Sequence, residues 1–465
     1  MAFFVTERYY FEKIIFGRVI LKMKLIYGVK DKPQFGKLII FAIQQLLAIM
    51  AATIAVPSII QNGMSQSAAL FGAGVGTIVY LLFTKFKSPV FLGSSFAFIG
   101  SMFAAFAGAS SAAAGHLGII IGAIMAGLVY VVIAIIVKFA GVKWVNKIMP
   151  AVVIGPTVAI IGLSLAGNAV ANSLGFANPP AQYVMGVNQW VCLICALVTL
   201  ATVILCSVYG KKMTKLIPFI IGIVAGYIVA TIFTLIGTYT DNDALKIIDF
   251  SLFDKMQWYP DFTFIKAYKG LSEITPKYLA TLAVAYVPVA FVVFAEHIAD
   301  HKNLSFIIEK DLLEEPGLSR TLLGDGVGSM FGAIFGGCPN TTYGESVGCV
   351  AITGNASVVT ILTTAILAIV ISFFAPFVTF LATIPSCVMG GVCITLYGFI
   401  AVSGLKMIQD VDLNQNKNLF VVSVILIAGI GGMALKIGEV TLTEIAVALI
   451  LGILTNLILK NGKEA

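Results

Sequence analysis

From Leu38 to Leu459 the chain alternates apolar runs of about twenty residues with short polar connections, and that is the length a helix needs to cross a bilayer. The pattern predicts fourteen membrane-spanning segments, near residues 38–57, 67–84, 90–107, 117–138, 150–171, 189–208, 216–238, 279–300, 319–336, 341–353, 356–377, 383–404, 418–433 and 440–459. The third, ninth, tenth and thirteenth are the least continuous. Composition agrees: 59% of the 465 residues are hydrophobic and 11% are charged, against roughly 25% charged in soluble domains. Mean hydropathy is +1.01. The fold class expected is an all-α polytopic membrane protein.

Charge then orients the chain, because Lys and Arg gather in cytoplasmic connections. Basic residues fill the segment before the first span (Arg8, Lys13, Arg18, Lys22, Lys24, Lys30, Lys32, Lys37) and then alternate connections: Lys85 and Lys87, Lys138 to Lys147, Lys211 to Lys215, Lys302 to Arg320, Lys406 and Lys417. The connections at 58–66, 108–116, 172–188 and 378–382 carry none, and the mixed-sign 239–277 stretch reads as an outside loop. Both termini are expected in the cytoplasm. The net charge of +7 therefore reports topology and requires no nucleic acid. Glu12, Lys13 and Arg18 interrupt the N-terminal segment, which argues against a cleaved signal peptide. An amphipathic helix on the inner leaflet and a disordered basic tail both fit it. The seven cysteines fall in or beside apolar runs and read as small packing residues, the Cys192/Cys195 pair included.

Two segments are broken. The third opens with Ser88-Pro89 and runs VFLGSSFAFIGS; the tenth opens with Cys338-Pro339 and runs NTTYGESVG. Each is third in a set of seven, the placement expected of inverted repeats. A half-span beginning at the midplane offers free backbone N–H groups and a positive dipole end. Close helix packing at Gly93, Ser94 and Ser95 is the alternative for one such segment; a matched pair favours a pocket between two half-spans.

Acids within spans supply the candidate chemistry, since a charge at membrane depth usually faces a cavity, a partner or a substrate. Glu345 lies in the glycine-broken stretch GCPNTTYGESVGCVAITG, and Glu296 follows seventeen uncharged residues in the eighth span. Glu296 and Asp300 are one turn apart on one helix face, whereas His297 points away. If the helix ends near 300, Glu296 is a solvated helix-end charge; if the apolar FII at 306–308 continues it, Glu296 sits in the interior. Asp300 is either a relay partner for Glu296 or a salt-bridge partner of Lys302. Tyr397 is either a pocket residue or packing.

These stretches resemble the nucleobase–ascorbate transporter family, also called nucleobase:cation symporter-2, and within it the bacterial uracil permeases. The resemblance rests on YGVKDKPQ (27–34), AIQQLLAIMAATIAVP (42–57), FLGSSFAFIG (91–100), FAEHIADH (294–301), LSRTLLGDGVGSMFGAIFGGCPNTTYGE (318–345) and ESVGCVAITG (345–354). The family signature is matched by Glu345, Val347, Gly348, Thr353 and Gly354, with Ser346 in the usual Asn place. The resemblance implies two inverted seven-segment repeats, with short strands in segments 3 and 10. It divides the chain into a basic segment 1–37, a first repeat 38–238, an extracellular connection 239–278 and a second repeat 279–460. Segments 1–4 and 8–11 would form a core domain, and 5–7 and 12–14 a gate domain. By resemblance Glu296 and Glu345 accept the ring N–H groups of uracil, Phe96 and Gly344 donate backbone N–H groups to its carbonyls, and Ser95, Tyr343 and Tyr397 complete the pocket. Proton coupling falls to Glu296, Asp300, His301 and Glu345. Two further departures are Asp300, followed by His301, where a His can stand, and Gln44-Gln45 in place of a Gln-His pair.

The function expected is uracil import by proton symport with alternating access, in a bacterial plasma membrane, by a homodimer paired through gate domains. No metal or other cofactor is expected besides the transported proton. Xanthine or another base is the alternative substrate, and sodium the alternative ion. An anion exchanger on the same fold would need a basic residue or an unopposed pair of helix ends in the pocket, and two acids there argue against it. An enzyme would need a motif that the three histidines, His116, His297 and His301, do not form.

Overall fold

Helices form where the apolar runs lie, and each of the fourteen stretches contains one. The computed structural model describes residues 25–141, 150–176, 187–211, 213–256, 258–409, 411–437 and 440–460. The basic tail from Arg8 to Lys24, and Lys143 and Lys147, lie outside the described residues. The first half contains α1 (Phe35–Ile60), α2 (Gln66–Phe83), β1 (Leu92–Ser94), a 3-10 turn (Phe96–Phe98), α3 (Ile99–Ala107), α4 (Ala112–Ala140), α5 (Ala151–Ser164), α6 (Ala166–Ser173), α7 (Val187–Tyr209), α8 (Met213–Leu216) and α9 (Pro218–Tyr239). After α10 (Thr263–Ala267) the second half contains α11 (Pro276–Ile308), α12 (Leu318–Gly336), β2 (Asn340–Thr342), α13 (Gly344–Thr353), α14 (Val358–Ile371), α15 (Ala375–Ala382), α16 (Ser386–Ile408) and α17 (Asn416–Ile430). A β3–β4 hairpin (Leu435–Ile437, Val440–Leu442) and α18 (Glu444–Lys460) follow.

Among the described residues eight helices are long and apolar enough to cross a membrane, or nine if α14 and α15 form one bent span. Their outer faces expose Ile204, Leu205, Ile228 and Leu235, the surface a bilayer covers. The chain is a multi-pass membrane protein.

Three elements differ from the sequence pattern. The eighth span continues past residue 300, because α11 runs to Ile308 and stops at Glu309 in the left-handed region, φ 54°. That length resolves the helix-end alternative and places Glu296 well inside the helix. The eleventh span ends at Ile371, and α15 turns away from α14 by 82°. Pro376 sits in the first turn of α15, where its missing N–H costs no intrahelical bond, and 378–382 is helix and not a connection. His116 belongs to α4, not to a loop: Ser111 caps that helix by accepting from Ala114 N at 3.1 Å.

α2 and α12 pack backbone to backbone. A Cβ on Gly72 would lie 2.6 Å from Gly332 O, and one on Gly328 would lie 2.8 Å from Gly76 O. Only glycine permits that approach. The tight seam lets Asn340, the first residue of β2, reach across and donate from Nδ2 to Gly72 O at 3.0 Å. β1 and β2 pair antiparallel, Leu92 with Thr342, Gly93 with Thr341 and Ser94 with Asn340. The two broken segments therefore meet as strands.

The 239–275 connection is docked as well. Phe262 packs edge-on against Phe71, with ring centroids 4.9 Å apart. Lys266 pairs with Asp261 and donates to Gly63 O. Glu273 accepts from the hydroxyls of Ser110 and Ser111, which hold its carboxyl below the usual glutamate range.

Two outcomes follow. Gly76→Val, whose Cβ would lie 2.6 Å from Asn340 Nδ2, costs about 1–3 kcal/mol. It lowers Tm in detergent, while Gly100→Ala, with nothing near its Cβ, does not. A carboxyl whose pKa is lowered on folding lends stability above its unfolded pKa and loses it as pH falls through the folded value. Hydrogen exchange at the start of α4, corrected for its intrinsic pH dependence, thus rises on acidification below the ordinary glutamate range, and Glu273→Gln removes that response.

Candidate functional site

Strands of three residues cannot hold themselves in register, so side chains hold them. Leu92 N donates to Thr77 Oγ1 at 2.9 Å, and Ser95 N donates to Pro339 O at 2.9 Å. The Tyr343 hydroxyl donates to Ser94 O at 2.8 Å, and its ring covers Gly93, where a Cβ would lie 2.3 Å from it. At one end of this small sheet the 3-10 turn starts at Phe96; at the other α13 starts at Gly344. Neither start carries a side-chain cap, so both present backbone N–H groups.

Both starts line one recess. A cavity of about 440 Å³ runs from Lys215 and Met407 to Glu296, Asp300, Gly344 and Glu345. A smaller recess of about 50 Å³ shares Glu296, Gly344 and Glu345 with it and adds Phe96, Tyr343 and Ile161. Glu345 is the second residue of α13. Glu296 reaches the same wall from α11, about 30 Å along that helix from its start at 1.5 Å per residue. Among the described residues neither acid has an ion-pair partner, and Lys215 on the same wall makes no ion pair.

Asp300, one turn beyond Glu296, also lines the larger cavity, and its Oδ2 accepts from Thr342 Oγ1 at 2.9 Å. Lys302 is exposed and forms no salt bridge with it; β2, and not a cytosolic cation, fixes this acid. His297 points off the back of α11, with Nδ1 2.7 Å from Asp325 Oδ2 and Nε2 3.0 Å from Thr321 Oγ1.

Not every sequence candidate reaches the wall. His301 stacks on His297 at 4.0 Å between ring centroids, with Nδ1 donating to His297 O and Nε2 2.7 Å from Tyr80 Oη. It belongs to the buried network behind α11. Ser95 is buried and its Oγ has no hydrogen-bond partner. Tyr397 stands edge-on to Phe96 at 5.9 Å and supports it from behind. Tyr343 lines the recess, but its hydroxyl is committed to β1.

Sequence reasoning passed over Thr342, Lys215 and Asp325. Asp325 stood in plain view, an acid within the glycine-rich LGDGVG run of the ninth span. It also passed over a bond between two residues already marked as departures: Gln45 Nε2 donates to Ser346 Oγ at 2.7 Å. Among the described residues no group of three His, Cys, Asp or Glu side chains is arranged to hold a metal ion.

A helical membrane bundle whose two broken segments cross as strands beside unpaired acids has the build of a secondary transporter. The chain belongs to the nucleobase:cation symporter-2 family, a family of transporters and not of enzymes: a model described as the permease family matches residues 36–438. It is 40% identical over 447 residues to a uracil permease of Bacillus caldolyticus, covering 95% of this chain and 96% of the relative. It is 38% identical over 447 residues to a uracil permease of Bacillus subtilis, covering 95% and 97%. With the uracil permease of Escherichia coli K12 it shares 34% over 435 residues, covering 93% and 94%. Among solved structures, the transmembrane domain of a cyanobacterial bicarbonate transporter, BicA, superposes with TM-score 0.64 at 16% identity, covering 92% of this chain and all of that one. The murine anion transporter Slc26a9, in an inward-facing state, does so with TM-score 0.63 at 13% identity, covering 98% and 75%. These two likenesses concern the fold.

Tyr343→Phe removes the buried bond to Ser94 O and costs about 1 kcal/mol or more. Thermal denaturation in detergent reads it as a lowered Tm.

Proposed function

We propose that this protein imports uracil together with a proton by alternating access. The observation that carries the reading is the shared cavity wall: two carboxylates, Glu296 and Glu345, beside the uncapped helix starts at Phe96 and Gly344. Uracil is a flat ring whose edge alternates N–H donors and carbonyl acceptors. Two carboxylates accept from its ring nitrogens and two backbone N–H groups donate to its oxygens, while Phe96 packs near its face, backed by Tyr397. The permeases named for uracil at 34–40% identity support the choice of base.

The proton is carried by Glu296, with Asp300 and Glu345 as its neighbours; His301 acts behind the helix, not at the substrate. Protonation removes an unpaired charge from the membrane interior and so accompanies loading and movement of the site. No cofactor takes part. The fourteen helix-containing stretches cross the membrane as two inverted repeats of seven, core segments 1–4 and 8–11 rocking past gate segments 5–7 and 12–14. The protein sits in the bacterial inner membrane with both termini in the cytoplasm and works as a homodimer. Anion exchange, the second reading for this fold, would use Lys215 and the two helix starts, and it is disfavoured because Glu296 and Glu345 on the same wall repel an anion.

Uptake of labelled uracil into proteoliposomes tests this. An inward proton gradient accelerates uptake, excess xanthine leaves it unchanged, and Glu296→Gln or Glu345→Gln lowers uracil affinity about ten- to hundredfold, the worth of a hydrogen bond to a charged group. Wild-type uptake that ignores the gradient, or variants that match it, would contradict the reading.

A further inference from the structure

Ser346 is the one position at which the chain leaves the family signature, and Gln45 stands in the first span where the resemblance places a histidine. In the structure these departures touch. Gln45 on α1 donates from Nε2 to Ser346 Oγ on α13 at 2.7 Å, across 301 residues of sequence. Both are buried, at 3% and 0% exposure, so no water replaces the bond if it is lost. The same Oγ accepts a second bond, from Phe91 N at 3.1 Å. One oxygen thus joins the first span, the residue leading into β1 and the first turn of the helix that carries Glu345.

Neither residue lines the cavity; each touches the site through its neighbours. Serine is shorter than asparagine, and its single oxygen has to satisfy two N–H donors. The donor on α1 must then reach further and bring its own N–H, which the long unbranched arm of glutamine does. Removing the serine oxygen strands two buried donors, the Gln45 amide and the Phe91 N–H, whereas removing Gln45 leaves Oγ held by Phe91 N alone. Glu345 immediately precedes Ser346, so any shift of this joint re-aims the carboxylate.

We propose that Gln45 and Ser346 are a positioning pair that sets the direction in which Glu345 meets the substrate. The inference rests on Glu345 being a uracil-binding group. Its test is a double-mutant cycle on the full-length protein: Gln45→Met, Ser346→Ala and the two combined, read by uracil titration calorimetry and by KM and turnover in proteoliposomes, with Tm measured without uracil. Each single change weakens uracil binding and raises KM about tenfold with turnover nearly unchanged, and the double variant is no worse than the weaker single, the non-additivity of residues acting through one contact. Singles that bind like the wild type, or a double variant near a hundredfold weaker, would overturn the pairing. If Ser346→Ala does not fold, Gln45→Met decides alone: about tenfold weaker binding supports the pair, and unchanged binding overturns it. A wild type that binds no uracil would overturn the function reading and this inference with it; a binding wild type with unaffected variants would overturn the inference only.

Discussion

Backbone N–H and C=O groups buried away from water must all be bonded, and that rule bears hardest on the two segments that stop being helix. β1 and β2 satisfy each other through a three-residue antiparallel pairing. Everything else at the site follows from keeping that pairing in place. The glycine seam between α2 and α12 brings the strands within reach, Asn340 and Thr77 tie them to α2, and Tyr343 closes the far side. The reward for breaking two helices is two helix starts at the centre of the molecule, with N–H groups free for a ligand.

The acids use the same frame. Glu345 rides on the first turn of α13, whose start is fixed by the end of β2, and Asp300 on α11 is held by Thr342 of β2 itself. α11 is in turn anchored from behind, where His297 meets Asp325 and Thr321 of α12. One face of that helix therefore serves the cavity and the opposite face serves the scaffold. A helix of mixed polarity at membrane depth makes sense only with both faces accounted for.

Much of this was legible in the sequence. Apolar length marked the helices, and the two prolines at 89 and 339 marked the breaks, because both signals are local. The rotation of α11 was legible too: His297, about 100° round from Glu296, had to point away, and the same arithmetic applied to His301, about 140° round, would have removed it from the cavity. Other features left no local trace. The bend between α14 and α15 has one local mark, Pro376, but Phe373-Phe374 before it keep the apolar run unbroken, so the pattern read straight through it. Asp325 was passed over because its span is glycine-rich and only weakly apolar. The contact of Gln45 with Ser346 joins residues far apart in the chain, and only the folded arrangement of α1, β1 and α13 brings them together.

The central claim is that the paired strands and the two acids form one binding surface for a nucleobase. An experimental structure of the protein determined with uracil, by cryo-electron microscopy, addresses it most directly. The account predicts a planar ring between Phe96 and Gly344, its nitrogens within about 3 Å of the Glu296 and Glu345 carboxylates and its oxygens facing the two helix starts. A ring bound elsewhere in the cavity and touching neither carboxylate, or β1 and β2 found apart, would contradict it.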